Sequence, residues 1–103
     1  MADYSKEHCI SLRNKYPEYY PVILTGDENL LKKKLLINKN MTVSQLMSYI
    51  RLNNKLSKRE AYFLFTENNI LLMQSSIVSD LYKSNSSANG FLYINVKKEN
   101  TFG

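Results

Sequence analysis

Cysteine and histidine are almost missing from this chain. Its 103 residues hold one of each, Cys9 and His8. A single cysteine excludes an internal disulfide and a thiolate metal site. The two residues are neighbours, and neighbouring side chains diverge on a helix or a strand, so they do not make a nucleophile and its base. One is expected against a helix interface and the other in water. The chain has no G-x-x-x-x-G-K-S/T loop, the backbone cradle that a nucleotide phosphate uses. No apolar stretch approaches the roughly 18–20 residues of a membrane span. The N-terminal run MADYSKEHCISL carries charges throughout and lacks the apolar core of a secretory signal. The expectation is a protein that starts in the cytosol, takes no cofactor or metal, and is not an enzyme.

Charge of one sign is only modestly in excess. The net charge is +5, spread over Lys32-Lys33-Lys34, Lys55/Lys58/Arg59 and Lys97-Lys98. Such a surplus suits nucleic acid or acidic lipid on one reading and acidic protein partners on another. A nucleic-acid reader needs a denser basic stripe or exposed stacking aromatics. The aromatics here fall mainly in strand-like runs, so no nucleic-acid partner is expected.

What is present is a well-punctuated series of elements. Residues 3–15 read as a short helix, with Cys9, Leu12 and Tyr16 at helical spacing and Pro17 stopping it. Tyr20 to Thr25 reads as a strand with Pro21 near its start, where the missing N–H is tolerable. Gly26-Asp27-Glu28-Asn29 is a turn, and Lys33 to Asn38 a second strand antiparallel to the first. Thr42-Val43-Ser44-Gln45 spells a capping box, with Met41 and Leu46 at the staple positions. Val43, Leu46, Met47 and Ile50 follow at i, i+3, i+4 and i+7, which predicts a core helix over 43–54. Ala61 to Thr66, dense in aromatics, predicts a strand buried on both faces. Ile70-Leu71-Leu72 predicts a short strand. Met73, Ile77, Val78 and Leu81 predict a short second core helix. Ser84 to Gly90 reads as a loop and Phe91 to Val96 as the last strand. Lys97 to Gly103 has too few apolar groups to pack and is expected to be a tail.

Strand, strand, helix, strand, short strand, short helix, strand is the order of a β-grasp sheet wrapped on one helix. The crossover rule lets the first and last strands lie parallel and adjacent at its centre. The fold expected is α+β, a β-grasp with a four- to five-stranded mixed sheet on a central helix. It divides into an N-terminal helical extension (1–18), the β-grasp domain (19–96) and a C-terminal tail (97–103).

Four stretches resemble one family. They are Pro21-Val22-Ile23; Met41-Thr42-Val43-Ser44-Gln45-Leu46 running on to Ile50-Arg51; Gly90-Phe91-Leu92-Tyr93; and Glu99-Asn100-Thr101-Phe102-Gly103. In this order they resemble the autophagy ubiquitin-like modifiers, the family of GABARAP and microtubule-associated light chain three. The resemblance implies a ubiquitin-like fold. It also implies conjugation of Gly103, recognised together with Phe102, to phosphatidylethanolamine in autophagosome formation. Glycine suits that role because it has no Cβ to obstruct an approaching backbone. The partners implied are the activating and conjugating enzymes of the ubiquitin-like pathway and a cysteine protease for deconjugation. Tethering by lipid would carry a cytoplasmic domain onto autophagosomes or related vesicles. Two other readings stand beside this one: a modifier joined to a protein lysine, and an unconjugated β-grasp peptide-binding module.

The same resemblance implies receptors carrying aromatic-x-x-aliphatic peptides, which add to the second strand. The aromatic pocket would be built from Leu12, Pro21, Ile23, Lys34, Leu36 and Phe91. The aliphatic pocket would use Leu35, Ile37, Met41, Leu46 and Tyr49. Lys32, Lys33 and Arg51 would attract acidic residues around the motif. Three departures from the family pattern bear on this face: Tyr19 replaces a basic residue, Leu35 an aromatic one, and the N-terminal helical region is short. The apolar run Leu35-Leu36-Ile37 in an edge strand is a hazard without a partner, which favours a binding strand.

Overall fold

The computed structural model describes residues 4–27, 30, 32–57 and 59–99. Seven elements follow in order: α1 (Lys6–Lys15), β1 (Tyr19–Thr25), β2 (Lys34–Asn38), α2 (Val43–Asn54), β3 (Tyr62–Thr66), α3 (Val78–Asn85) and β4 (Leu92–Lys98). The strands form one mixed sheet in the order β2-β1-β4-β3. β1 runs antiparallel to β2 and parallel to β4, while β3 is antiparallel to β4. This is the β-grasp arrangement expected, with the first and last strands side by side at the centre.

Local chemistry explains α2. The Thr42 hydroxyl accepts from the Gln45 N–H at 3.2 Å, and the Gln45 carboxamide accepts from the Thr42 N–H at 3.0 Å. Both halves of the capping box are formed, so two of the helix's orphan donors are satisfied. Val43, Leu46 and Ile50 then face the sheet and are fully buried. Thr42→Ala is expected to cost about 1 kcal/mol, read as a lowering of Tm by about 5 °C. An unchanged Tm would mean that the cap contributes nothing.

The sheet is covered on both sides, but not equally. On one face Val22, Leu24, Leu35, Ile37, Leu64, Leu92, Ile94 and Val96 pack with α2 and α3 into the main core. On the other face Ile23 and Phe91 pack with Cys9 of α1, with Leu12, Tyr4 and Tyr93 around them. β1 is therefore the strand buried on both faces. β3, expected to be so, lies at the sheet edge and alternates instead: Tyr62, Leu64 and Thr66 are buried while Phe63 is exposed. An edge position leaves the second face without a covering layer.

Four other expectations are corrected. Residues 70–72 form no strand: a single bridge joins Leu71 to Phe65, and Ile70 and Leu71 are exposed. Met73 and Ile77 are not in a helix, and Met73 is 70% exposed. The carbonyls of Gln74 and Ser76 are used instead to accept the N–H groups of Ser44 and Val43 at the start of α2. That demand keeps the segment irregular until α3 begins at Val78. Among the described residues the N-terminal helix starts at Lys6 and leaves out Tyr4 and Ser5, because the Ser5 hydroxyl caps it by accepting from the His8 N–H. At the other end β4 continues two residues past Val96. Lys97 and Lys98 pair with Phe63 and Tyr62, and Lys98 meets Glu60 at 2.8 Å. Ladder bonds and that ion pair order what composition suggested was tail. Phe102 and Gly103 lie outside the described residues.

Candidate functional site: the free edge of β2

β2 has β1 on one side and, among the described residues, no strand on the other. Its side chains alternate: Leu35 and Ile37 point into the core beneath α2, while Lys34, Leu36 and Asn38 are half-buried on the α1 side. A groove of ≈ 470 Å³ follows this edge. Its lining comes from three elements and the chain leading into β2: His8 and Leu12 of α1, Lys32, Lys34, Leu35 and Leu36, and Tyr49 and Asn53 of α2. α1 forms one bank and α2 the other, with the edge backbone of β2 between them. Exposed strand N–H and C=O groups flanked by apolar side chains form a template for one more extended chain.

The banks are held in place by hydrogen bonds. The buried Asn54 carboxamide accepts from the Lys32 N–H at 2.7 Å and donates to the Ile50 carbonyl at 3.2 Å. This ties the entry to β2 onto the end of α2. Across the other bank, Lys34 Nζ lies 2.9 Å from His8 Nε2. α1 is anchored from below by Cys9, whose sulfur sits against Gly90. Gly90 has φ +89°, and a Cβ there would come within 2.7 Å of Cys9 Sγ. Only glycine fits that turn and that contact together. The Tyr82 hydroxyl donates to the Gly90 carbonyl, its ring stacks on Tyr20 at 4.0 Å, and the Arg13 guanidinium lies over both rings.

Burial and the nearby Cys9 push the Tyr82 phenol up to about 12. Burial likewise raises the Cys9 thiol. A raised, covered thiol is a packing residue and not a nucleophile. Among the described residues no three His, Cys, Asp or Glu side chains gather to hold a metal, and no helix is long and apolar enough to cross a membrane.

The residues expected in the two pockets divide. Leu12, Lys32, Lys34, Leu35, Leu36 and Tyr49 do line the groove. Ile23 and Phe91 do not, being sealed beneath α1, with Phe91 at 0% exposure. Pro21, likewise fully buried, is also outside the lining. Ile37 and Leu46 are main-core residues. Met41 lies beyond the far end of β2, in a separate shallow recess with Asn38, Asn40 and Gln45. Lys33 is exposed outside the lining. Arg51 is committed elsewhere. Its guanidinium donates to the Ser57 and Glu60 carbonyls at 2.8 and 3.0 Å and lies over the Tyr62 ring. His8 and Asn53 are lining residues that the sequence reading missed. His8 stands four positions before Leu12, and that spacing puts them on one helix face.

Comparison with known proteins places the whole chain. A family described as "Autophagy protein Atg8 ubiquitin like" matches residues 5–103. Autophagy-related protein 8e of Arabidopsis thaliana is 39% identical over 97 residues, covering 89% of this chain and 79% of that protein. Autophagy-related protein 8 of Schizosaccharomyces pombe is 38% identical with the same coverage, 89% and 79%. The crystal structure of Trypanosoma brucei ATG8 superposes with a TM-score of 0.84 at 29% identity, covering 95% of this chain and 88% of that one.

Proposed function

Because this chain belongs to the Atg8 family of ubiquitin-like autophagy proteins, we propose that it is a modifier, not an enzyme, joined through Gly103 to phosphatidylethanolamine. Its β2 groove recruits receptors that carry aromatic-x-x-aliphatic peptides. The observation that carries the recruiting half is the groove itself: one free strand edge between two half-apolar banks, with Lys32 and Lys34 in its lining. An extended peptide gains main-chain hydrogen bonds along β2. Its anchors meet Leu12 and Leu36 on the α1 side, and Leu35 and Tyr49 on the α2 side. The lysines favour acidic residues next to the motif.

The conjugating half rests on the family match, which extends to residue 103, and on the run Glu99-Asn100-Thr101-Phe102-Gly103. A terminal carboxylate is activated by adenylation, handed to enzyme cysteines as a thioester and transferred to an amine. The partners this requires are an activating enzyme, conjugating enzymes and a cysteine protease that reverses the bond. Amide formation with the lipid headgroup moves a cytoplasmic protein to the autophagosomal membrane without a membrane-spanning helix.

The deciding experiment is reconstitution with activating and conjugating enzymes, ATP and phosphatidylethanolamine vesicles, followed by intact-mass measurement. A mass increase of one lipid less one water is expected. Transfer to a protein lysine instead would identify the chain as a protein-conjugated modifier, and no adduct at all would leave only the peptide-binding module.

The groove makes its own prediction. Leu36→Asp places a carboxylate on the α1 bank, where the peptide's aromatic anchor is to lie. Affinity for such a peptide is expected to fall by about tenfold or more, ~1.4 kcal/mol, with conjugation intact, because Leu36 is only half-buried and β1 separates its strand from β4. Calorimetric titration showing unchanged affinity would remove strand addition from the model of binding.

A further inference from the structure

Val43, Leu46 and Ile50 make the buried face of α2 aliphatic, and Asn54 continues that face at the helix end. Asn54 is only 3% exposed. A carboxamide is costly to bury unless it is hydrogen-bonded, so an aliphatic side chain would be the simpler occupant of this position. Two of its bonds identify what the polar group does there. Its nitrogen donates to the Ile50 carbonyl at 3.2 Å, and its oxygen accepts from the Lys32 N–H at 2.7 Å.

The register of β2 gives the second bond its meaning. The Leu24 N–H donates to the Lys33 carbonyl, and the Lys39 N–H donates to the Glu18 carbonyl. These bonds are in step with the pairing of Val22 with Leu35 and of Tyr20 with Ile37. In an antiparallel ladder successive residues turn their backbone groups to alternate sides. Residues 33, 35, 37 and 39 therefore face β1, while residues 34, 36 and 38 face the open edge. The Lys32 N–H is the next group in the outward series, and Asn54 has taken it. At the far end the Asn38 carbonyl accepts from the Met41 N–H at 3.1 Å. The chain closes its own edge at both ends, by a side chain at one and by a turn at the other. Lys34 and Leu36 lie between the two closures.

We propose that Asn54 is a positioning residue of the β2 groove: by holding the Lys32 N–H it ends the pairing edge, and so fixes the register and length of the peptide strand that adds there. This rests on the reading of the groove as a peptide site. The ligand selected is a short extended peptide whose main-chain pairing is confined to the stretch around Lys34 and Leu36. Residues flanking that stretch find no backbone donor at Lys32, and they contribute through their side chains alone.

The test uses the full chain and two peptides, Gly-Trp-Gln-Gln-Leu-Gly and Thr-Val-Thr-Trp-Gln-Gln-Leu-Thr-Val-Thr, compared by calorimetric titration. The longer one carries strand-forming flanks. The ratio of the two affinities is the readout, because side-chain contacts of the flanks cancel when variants are compared. In Asn54→Ala the Lys32 N–H is released to the edge, and the ratio should rise in favour of the longer peptide by about threefold to tenfold, the net worth of one main-chain hydrogen bond. A purely structural role would weaken both peptides alike and leave the ratio where it was. Asn54→Asp keeps an oxygen acceptor for Lys32 and should keep the ratio of the unmodified protein. An unchanged ratio in Asn54→Ala, or an equal rise in Asn54→Asp, would overturn the proposal. A second measurement needs no variant. By amide hydrogen exchange the Lys32 N–H should be protected before peptide is added and unaltered by it, whereas the Leu36 N–H should gain protection on binding. A freely exchanging Lys32 amide, or one that gains protection with peptide, would overturn the closure of the edge. Failure of both peptides to bind, with Lys32 protected as expected, would sink the groove reading and this role with it while leaving the Asn54 contact itself standing.

Discussion

Gly103→Ala is expected to abolish the lipid adduct in the reconstituted reaction while leaving the fold unchanged. In the proposed reaction Gly103 contributes the acyl carbon, so every transfer step would pass its backbone atoms through an enzyme active site. Glycine alone reaches the φ > 0 half of backbone space without strain and brings no Cβ against the attacking sulfur or amine. An added methyl group costs little in a roomy site. In the proposed pathway the cost would compound over successive active sites, and a loss of about a hundredfold in the overall rate corresponds to only ~2.7 kcal/mol of barrier. The fold is expected to be indifferent, because the elements that make the core end at Lys98. Circular dichroism and Tm should match the unmodified protein, and intact mass should show free chain only. Lipid adduct in normal yield from the alanine variant would mean that the acyl group is not the one proposed.

Phe91→Ala is expected to be the most destabilising of the substitutions considered. Phe91 is the largest of the fully buried side chains and joins β4 to α1 through Cys9, with the Tyr4 ring edge-on at 5.9 Å. Truncating a buried phenylalanine costs about 3–5 kcal/mol, the sum of lost transfer energy and the cavity left behind. That is a large fraction of the total for a domain of this size. Urea unfolding should show a markedly lower midpoint with the slope unchanged. α1 should lose protection from hydrogen exchange first, since its contact with the sheet runs through this cluster. Peptide affinity will fall as well, but indirectly, through a loosened α1 bank. If Phe91 were itself a groove residue, the pattern would reverse: affinity would drop and the urea midpoint would hardly move. The comparison with Leu36→Asp, which should weaken binding at nearly constant stability, separates the two roles.

These two positions show where residue patterns speak and where they fall silent. The capping box at Thr42 and Gln45 and the helix that follows it were legible because each depends on residues a few positions apart. The family tail was legible as a run of residues, without any structure. β3 was misread for a physical reason. An aromatic run looks the same whether one face or two are covered, and only its place at the end of the sheet leaves Phe63 exposed. Residues 70–77 were misread because their apolar side chains suggested a strand and a helix, while their carbonyls were needed at the start of α2.

The site divides along the same line. Alternation in Leu35-Leu36-Ile37 establishes that neighbours lie on opposite faces. It does not say which face a helix covers, so Leu36 could not be separated from Ile37, nor Leu12 from Phe91. The sequence placed one of Cys9 and His8 in water without saying which, and the contact of His8 with Lys34, 26 positions away, was out of its reach. By itself the sequence determined the order of the elements, the capped central helix and the membership of a ubiquitin-like family, since those are carried by local hydrogen-bonding chemistry and by motif. Only the tertiary structure decided which apolar residues are core and which line a groove, and which charges face each other. Burial and charge pairing arise where segments distant in the chain come together, and no local pattern contains that distance.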